Sequence, residues 1–261
     1  MREDAAAEFL ARLGKVWMTD IQTQELSYTA DDVEMKAYLA WDAGTGPARP
    51  GVLVVHEWWG RNDYAKRRAR MLAEAGYTGM ALDLYGAGRV AADRDEAGSL
   101  MNARIADMEG TRKRFLAALE MLKTHDTVDA ERTGAIGYCF GGGVVTHMAR
   151  MGAPLRVTGS FHGAVGLAAV EGPARIDCRI MVYNGEADTL VSEEQIRGFK
   201  SVMQKTNCHY DFIQLPGALH GFSNPQATAN GEKFGLPLAY NRLADECSWA
   251  HFLLTMENVF A

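Results

Sequence analysis

The chain has 261 residues, of which 48% are hydrophobic and 23% are charged, and its formal net charge is −6. A chain of this length can bury one large hydrophobic core, so we expect a single domain over residues 1–261 that needs no disulfide or metal for stability. The mildly acidic balance excludes a strong long-range attraction to nucleic acid or to anionic membranes.

The most basic segment is Lys66-Arg67-Arg68-Ala69-Arg70, which Met71-Leu72-Ala73 follows directly. Its pattern predicts the solvated face of an amphipathic helix rather than a nucleic-acid surface. No stretch approaches the roughly 18 apolar residues of a membrane span, and the first residues lack the apolar core of a signal peptide. We therefore expect a cytoplasmic protein with no nucleic-acid partner and no membrane partner.

The chain contains four cysteines, Cys139, Cys178, Cys208 and Cys247, which are widely spaced and form no C-x-x-C pair. This spacing favours neither a disulfide framework nor a zinc site, and thiols stay free in a reducing cytosol. We therefore expect no metal and no cofactor. The sequence leaves the oligomeric state open.

The first part of the chain predicts antiparallel strands that precede a parallel sheet. A short helix is expected over residues 1–13. Apolar residues alternate over 25–41 on both sides of Asp31-Asp32, which is the signal of a β-hairpin. The continuous Val-rich run 51–55 is typical of a strand buried on both faces. Asn62-Asp63 can cap a helix that ends before Gly76.

From residue 78 onward, predicted strands and helices alternate. The expected strands are 78–84, 134–137, 157–161, 180–183 and 210–215, and the expected helices lie within 94–123 and over 142–151, 193–205 and 239–259. This alternation predicts an α/β fold with a mostly parallel central sheet of about eight strands and helices on both faces. The polar segment 223–237 is expected to be a loop over the carboxyl edge of the sheet, where such sheets bind ligands.

The segment Gly137-Tyr138-Cys139-Phe140-Gly141 lies between a predicted strand and a predicted helix. A strand that turns sharply into a helix forces its central residue into a strained conformation and requires small neighbours two positions away, which the glycines supply. The helix N-terminus beside Cys139 favours a thiolate. Free cysteines are often buried structural thiols, but this context predicts a nucleophile in the position that usually holds serine.

In the fold that uses such an elbow, an acid and then a histidine follow the nucleophile, each after a later strand. Asp188 lies in a glycine-containing loop after a predicted strand. Glu186, in the same loop, is the alternative candidate for the acid. The alternative role for Asp188 is to cap the following helix. His220 follows the next predicted strand, whereas His56 and His162 end strands too early in the chain but are expected near the site. His220 is expected to take the thiol proton, and Asp188 to orient the ring and stabilise its charged form.

These residues resemble those of the dienelactone hydrolase family of α/β-hydrolases, from about Val33 to the last helix. Five motifs carry the resemblance, and they are Val55-His56-Glu57-Trp58-Trp59-Gly60, Asp83-Leu84-Tyr85-Gly86, Gly137-Tyr138-Cys139-Phe140-Gly141-Gly142, Gly185-Glu186-Ala187-Asp188 and His220-Gly221-Phe222. A cysteine elbow combined with the Glu57 motif is specific, whereas each motif alone is weaker. The resemblance implies an α/β-hydrolase fold and carboxymethylenebutenolidase-like hydrolysis.

The resemblance also implies that Glu57 lies beside the Cys139 thiol and takes part in its activation. A carboxylate held in a cleft can exchange a proton with a nearby group; the alternative is a solvated loop glutamate. Segment 56–60 is not a zinc helix of the H-E-x-x-H type, because a glycine stands where the second histidine is required. By the same resemblance, the backbone N–H groups of Trp58 and Phe140 form the oxyanion hole.

Members of the family that hydrolyse dienelactone hold the substrate carboxylate with two arginines, and this chain departs from that pattern. Arg89 is displaced from the first position, after the Asp-Leu-Tyr motif, and Asn224 stands at the second, shortly after the histidine. At least one carboxylate contact is missing, which argues against dienelactone itself as the substrate. Aromatic side chains predict an apolar pocket, with ordinary packing as the alternative, and they are Trp58, Trp59, Tyr85 and Phe222.

These observations predict a carboxylic ester hydrolase that cleaves small esters or lactones through an acyl-enzyme on Cys139. Two alternatives stay open. One is thioester or amide cleavage on the same fold, and the other is a catalytically silent binding protein that keeps the fold. The complete set of Cys139, Asp188, His220 and Glu57 favours the enzyme.

Overall fold

A computed structural model describes residues 19–261. The strands are β1 (Ile21–Ala30), β2 (Val33–Asp42), β3 (Arg49–Val55), β4 (Thr78–Ala81), β5 (Val128–Tyr138), β6 (Val157–Phe161), β7 (Arg179–Gly185) and β8 (Tyr210–Leu215). The helices are α1 (Asp63–Glu74), α2 (Arg94–Ala106), α3 (Met108–Lys123), α4 (Phe140–Arg150), α5 (Glu193–Gln204), α6 (Ala227–Phe234) and α7 (Arg242–Phe260), with a short 3-10 helix over Val165–Ala168.

The helix predicted for residues 1–13 lies outside the described residues. No helix within residues 19–261 combines the length and the apolar character that crossing a bilayer requires.

The strand order across the sheet is β1-β2-β4-β3-β5-β6-β7-β8. β1 and β2 form the predicted antiparallel hairpin, and β2 pairs antiparallel with β4. The remaining pairs, among β3 to β8, are parallel. The carboxyl ends of these strands therefore meet at one edge, and the loops that follow β3, β5, β7 and β8 carry Glu57, Cys139, Asp188 and His220.

The hairpin turns at the two aspartates that the sequence pattern marks. Asp31 and Asp32 have φ angles of 54° and 56°, and Ala30 pairs with Val33 across the turn. Two successive residues with positive φ give the turn the twist that adjacent strands need, and aspartate tolerates this conformation better than most side chains.

Alternate residues of the parallel strands enter two separate hydrophobic clusters. On β3, Leu53 and Val55 pack into the cluster that includes α3, α4 and α5, whereas Val52 and Val54 pack into the cluster that includes α1 and α7. All four side chains are fully buried. Helices therefore cover both faces of the sheet, which explains why the run 52–55 of this strand is hydrophobic at every position.

Three expectations from the sequence are wrong in detail. Segment 94–123 holds two helices, because Asp107 ends α2 and caps α3 by accepting a hydrogen bond from the Gly110 N–H at 2.9 Å. Segment 223–237 is not a loop throughout, since it contains α6. The basic run on α1 is not wholly solvated, because Arg68 is fully buried and pairs with Asp245.

Candidate active site

Cys139 lies at the sharp turn between β5 and α4. Its backbone angles are φ 53° and ψ −119°, a conformation that costs a non-glycine residue on the order of 1–3 kcal/mol. Its N–H donates to the Phe161 carbonyl oxygen at 3.1 Å and to His162 Nδ1 at 3.2 Å. The side chain is half-buried at the N-terminus of α4, which carries a partial positive charge.

The glycines that flank Cys139 permit the turn because no side chain fits at their positions. A Cβ atom on Gly137 would lie 2.1 Å from the Gly141 carbonyl oxygen, and one on Gly141 would lie 2.4 Å from the Val55 carbonyl oxygen. The elbow is thus packed backbone against backbone between β5, α4 and the end of β3. This close approach places the elbow beside the loop that carries Glu57.

Asp188, in the loop after β7, contacts the histidine predicted as its partner. His220 Nδ1 donates to Asp188 Oδ2 at 2.8 Å. The other oxygen, Oδ1, accepts hydrogen bonds from two backbone N–H groups of the same loop, at 2.8 and 3.3 Å. The rival Glu186 is exposed and accepts a backbone hydrogen bond instead. Ser192 caps α5, so Asp188 is not the cap of that helix.

The second ring nitrogen of His220, Nε2, is buried and lies beside the Cys139 sulfur. Burial lowers the pKa of the ring, but the nearby Cys139 sulfur and the Asp188 carboxylate outweigh this effect and raise the pKa to about 10. The ring therefore binds a proton tightly between the Cys139 sulfur and the Asp188 carboxylate.

Glu57, in the loop after β3, is buried rather than solvated. It is 7% exposed, and its Oε2 accepts a hydrogen bond from Asn224 Nδ2 at 2.8 Å. Burial raises the pKa of Glu57 to about 7, against the lowering effects of the Asn224 hydrogen bond and of His220. Near neutral pH the carboxyl exists in both protonated and ionised forms, which suits a group that exchanges a proton with a neighbour.

Two buried side chains hold the loops around Glu57. His56 Nδ1 donates to the Glu57 carbonyl oxygen at 2.5 Å, and its Nε2 accepts the Leu84 N–H at 3.2 Å. Asp83 accepts hydrogen bonds from three backbone N–H groups of the loop that follows it, at 2.8 to 2.9 Å. This loop carries Tyr85, whose hydroxyl donates to the carbonyl oxygen of residue 58 at 2.8 Å. Hydrogen bonds therefore join the loop that follows β3 to the loop that follows β4 and hold both in place.

A cavity of about 330 Å³ opens at the carboxyl edge of the sheet. Glu57, Trp58, Cys139, Phe140 and His220 line it. The rest of its wall is mainly apolar and includes residues that no sequence motif marks, namely Met101, Ile105, Leu190, Val191, Leu236 and Leu238. The structure thus brings the predicted nucleophile, histidine, second carboxyl and oxyanion-hole residues to one apolar cavity.

Of the residues predicted for the substrate pocket, Trp58, Trp59 and Asn224 line this cavity, but Tyr85, Arg89 and Phe222 do not. The Arg89 side chain is 56% exposed and pairs with Glu96 of α2, which holds it at the surface. Phe222 is fully buried and packs edge-on against His162, with ring centroids 5.1 Å apart. Tyr85 is turned toward the Trp58 carbonyl oxygen. For these three residues the expectation of a pocket position is corrected.

His162, at the end of β6, lies directly beside the elbow. Its Nδ1 accepts the Cys139 N–H, and its Nε2 lies 2.8 Å from Ser223 Oγ. Ser223 Oγ in turn lies 2.8 Å from the Tyr64 hydroxyl. Burial and the nearby His220 lower the pKa of His162 well below its usual value, so the ring is neutral. Because β5 and β6 are neighbouring parallel strands, their ends meet, and this is the signal that could place His162 here from sequence.

The elbow after β5, the acid after β7 and the histidine after β8, all at one edge of a mostly parallel sheet, define an α/β-hydrolase. Within residues 19–261, no group of three or more His, Cys, Asp and Glu side chains is arranged to hold a metal ion. The chain matches the model of the dienelactone hydrolase family over residues 35–260. Because this match covers most of the sequence, the chain belongs to the dienelactone hydrolase family.

Several known proteins are similar to this chain. A probable 2-oxo-3-(5-oxofuran-2-ylidene)propanoate lactonase from a Bradyrhizobium species is 28% identical over 202 residues, which cover 71% of this chain and 78% of the relative. The crystal structure of the dienelactone hydrolase-like promiscuous phosphotriesterase P91, from metagenomic libraries, is 31% identical, with a TM-score of 0.84 over 92% of this chain and 99% of that chain. The structure named m3DLH is 33% identical, with a TM-score of 0.86 over the same shares.

These similarities confirm the fold predicted from the sequence. Family membership supports a hydrolase that acts on small esters or lactones.

Proposed function

We propose that this protein hydrolyses small esters or lactones with Cys139 as nucleophile, His220 as general base and Asp188 as the acid that orients His220. One observation carries the proposal. His220 Nδ1 donates to Asp188 at 2.8 Å, which leaves the buried Nε2 to face the Cys139 sulfur at the cavity that both residues line. This is the arrangement that a general base for a thiol requires.

In the proposed reaction, His220 Nε2 takes the thiol proton and the Cys139 sulfur attacks the substrate carbonyl carbon. The tetrahedral intermediate then collapses. The alcohol leaves with the proton that His220 returns, and the acyl group stays on sulfur as a thioester. A water molecule, deprotonated by His220, attacks this thioester and releases the carboxylic acid and the free thiol. In a lactone, the alcohol and the acid are parts of one product.

The backbone N–H groups of Trp58 and Phe140 are the proposed donors to the negative oxygen of the intermediate. Phe140 is the first residue of α4, so its N–H has no partner within the helix. The hydrogen bond from His56 Nδ1 to the Glu57 carbonyl oxygen holds the other peptide, the one that carries the Trp58 N–H. Glu57 is the proposed second partner of the thiol, because a carboxyl with a pKa of about 7 can accept or release a proton at neutral pH.

Cys139→Ala tests the proposal with 4-nitrophenyl butanoate as the ester and dihydrocoumarin as the lactone. We expect kcat/KM to fall by at least about a thousandfold, because no acyl-enzyme can form without the sulfur. Cys247→Ala is the matched control, since Cys247 is exposed and lines no part of the cavity. Full ester hydrolysis by Cys139→Ala would contradict the proposal.

Iodoacetamide labelling distinguishes an enzyme with a reactive Cys139 thiol from a catalytically inactive binding protein with the same fold. We expect Cys139 to react faster than the exposed Cys247. It should react much faster than Cys178, because burial raises the pKa of Cys178 to about 12. Labelling of Cys139 no faster than that of Cys247 would favour a binding protein. A thioester and an amide in the substrate panel identify the bond that is cleaved best.

A further inference from the structure

The segment that follows β6 holds the Cys139 peptide groups from both sides. The Phe161 carbonyl oxygen and His162 Nδ1 accept the Cys139 N–H at 3.1 and 3.2 Å. The Ala164 N–H donates to the Cys139 carbonyl oxygen at 3.1 Å. Of these three residues, only His162 makes its contact with a side chain. The position of its ring therefore bears directly on the position of the nucleophile.

The backbone at His162 is strained, as it is at Cys139. Its φ angle is 41°, a left-handed conformation that costs a non-glycine residue on the order of 1–3 kcal/mol. The neighbouring strand β7 holds it there, because the His162 N–H donates to the Tyr183 carbonyl oxygen at 2.8 Å. The side chain is fully buried and does not line the active-site cavity. It therefore does not touch a substrate that binds in this cavity.

The hydrogen bonds of His162 define which ring nitrogen carries the proton. A backbone N–H can only donate, so Nδ1, which accepts the Cys139 N–H, is unprotonated and the proton of the neutral ring is on Nε2. Nε2 therefore donates to Ser223 Oγ at 2.8 Å. Ser223 follows His220 in the same loop, and the rings of His162 and His220 meet edge-on with centroids 5.1 Å apart. One buried ring thus connects the peptide of the proposed nucleophile to the loop of the proposed base.

Ser223 is a fixed anchor for this ring, because α1 holds it at two atoms. Its Oγ lies 2.8 Å from the Tyr64 hydroxyl, and its carbonyl oxygen accepts a hydrogen bond from Arg68 at 2.6 Å. The side chain of Ser223 is fully buried, so water does not compete for these contacts. A displacement of the His162 ring would therefore break a hydrogen bond either to the elbow or to this anchor.

We propose that His162 is a positioning residue, whose ring fixes the distance between the Cys139 sulfur and His220 by binding the Cys139 N–H through Nδ1 and the loop after β8 through Nε2. This inference rests on the proposed function and adds to that site a residue outside the triad and the oxyanion hole. A neutral imidazole suits this task because it presents an acceptor and a donor at two positions of one rigid ring. Proton transfer from the sulfur to His220 requires the two groups to stay within hydrogen-bond reach.

Three variants of His162 test the proposal in single turnovers of 4-nitrophenyl butanoate with the enzyme in excess, which separate substrate binding from acylation. His162→Phe keeps a buried ring but removes both hydrogen bonds. We expect the maximal acylation rate to fall about a hundredfold, because the reacting groups are displaced. The half-saturating concentration should change little, because the cavity stays intact.

His162→Asn and His162→Gln each retain half of the bridge. The asparagine oxygen can take the place of Nδ1, and the glutamine amide nitrogen that of Nε2. Each should therefore recover about tenfold of the acylation rate that His162→Phe loses. These two variants decide the question where His162→Phe fails to fold, and a wild-type acylation rate in both would overturn the proposal.

Thr158→Val is the matched control. Thr158 lies on β6 and is fully buried like His162, but the contact of its hydroxyl is with Cys178 Sγ, at 3.9 Å. We expect this variant to keep the wild-type acylation rate even where urea unfolding shows a loss of stability. An equal loss of acylation rate in Thr158→Val and His162→Phe would mean that His162 serves only the stability of β6.

Iodoacetamide labelling keeps the test independent of turnover. If His162 positions the thiol against His220, the labelling rate of Cys139 in His162→Phe should fall to about that of the exposed Cys247. Hydrolysis that requires Cys139 but shows a wild-type acylation rate in His162→Phe would overturn the positioning role alone. Unchanged hydrolysis by Cys139→Ala would overturn the proposed function, and the labelling rates would then still decide whether His162 positions the thiol.

Discussion

Glu57 is a carboxyl group that the fold buries beside a neutral amide, and its protonation links pH to stability. Its pKa is about 7 in the folded chain, whereas the ordinary pKa of a glutamate side chain is 4.5. Because the folded protein holds this proton more tightly, the group stabilises the fold at low pH. That contribution is lost as the pH rises from about 4.5 to about 7, and it stays lost at higher pH. A pKa difference of this size corresponds to about 3 kcal/mol.

Glu57→Gln is therefore expected to stabilise the protein at pH 8.5 and to change little at pH 5. Glutamine can still accept the Asn224 hydrogen bond but never ionises, so the free energy of unfolding at the higher pH should increase by up to about 3 kcal/mol. Urea unfolding at the two pH values measures the difference. The exposed Glu171 supplies the control variant Glu171→Gln. This variant should change the free energy of unfolding by the same amount at both pH values. An equal effect of Glu57→Gln at both pH values would mean that Glu57 ionises normally.

The sequence predicts individual side chains well where a motif fixes the backbone around them. The positions of Cys139, Asp188 and His220 follow from loops at the ends of strands, and the structure brings Asp188 and His220 into contact. The burial of Arg68 could not be predicted in this way. An arginine in a basic run is usually solvated, and its burial depends on Asp245, which is 177 positions away in the sequence. Asp245 can be identified as the partner of Arg68 only from the tertiary structure.

At the scale of secondary structure, the join between β5 and α4 leaves no room for an added atom. A Cβ atom on Gly141 would meet the carbonyl oxygens of Val55 and His56 at 2.4 and 2.5 Å, and neither can move without shifting β3. We expect Gly141→Ala to destabilise the protein by about 1–3 kcal/mol or more. It should also lower kcat/KM, because α4 and the N–H of its first residue move away from the elbow.

Gly98→Ala is the matched control for this prediction. Gly98 lies within α2 and has open space where a Cβ atom would stand. Alanine is favoured over glycine in a helix by about 1 kcal/mol, so this change should be neutral or stabilising. Urea unfolding and ester hydrolysis measured on both variants compare the two positions. Similar stability and activity in Gly141→Ala and Gly98→Ala would show that the elbow tolerates a side chain.

The accuracy of the predicted elements depends on how clearly apolar residues mark each one. The expected strands 157–161 and 210–215 agree with β6 (Val157–Phe161) and β8 (Tyr210–Leu215), because apolar residues recur in each between flanking turn or polar residues. The helix α6 has no such signal in the sequence. Its buried residues are only Ala227 and Gly231, so no apolar stripe with helical spacing marks it, and a polar segment with glycine and proline favours a loop.

At the scale of the whole molecule, Arg68 joins elements that are distant in sequence. It lies on α1, and its guanidinium group donates to Asp245 of α7 at 2.5 Å and to the Ser223 carbonyl oxygen at 2.6 Å. Three rings surround it at 5.1 to 5.4 Å, those of Tyr64, Tyr138 and Trp249. Ser223 follows His220 closely and also contacts His162. Arg68 therefore connects α1 and α7 to the loop after β8, which carries His220.

Arg68→Met is expected to lower the free energy of unfolding by about 3–5 kcal/mol, because Asp245 is left as a buried carboxylate without its cation. The double variant Arg68→Met/Asp245→Leu should regain much of this loss, since removing both charges also removes the cost of burying them. Urea unfolding of the two variants and the wild-type protein measures both effects. A double variant no more stable than Arg68→Met would contradict the assignment of the loss to the unpaired carboxylate.

The same pair of variants separates folding from function. In both, the Ser223 carbonyl oxygen has lost the donor that holds it at 2.6 Å. We therefore expect kcat/KM for 4-nitrophenyl butanoate to stay low in the double variant even where its stability recovers, because the loop between His220 and α6 is no longer anchored. Recovery of both properties together would mean that Arg68 serves stability alone and that the position of His220 is set by Asp188 without help from the α1 and α7 layer.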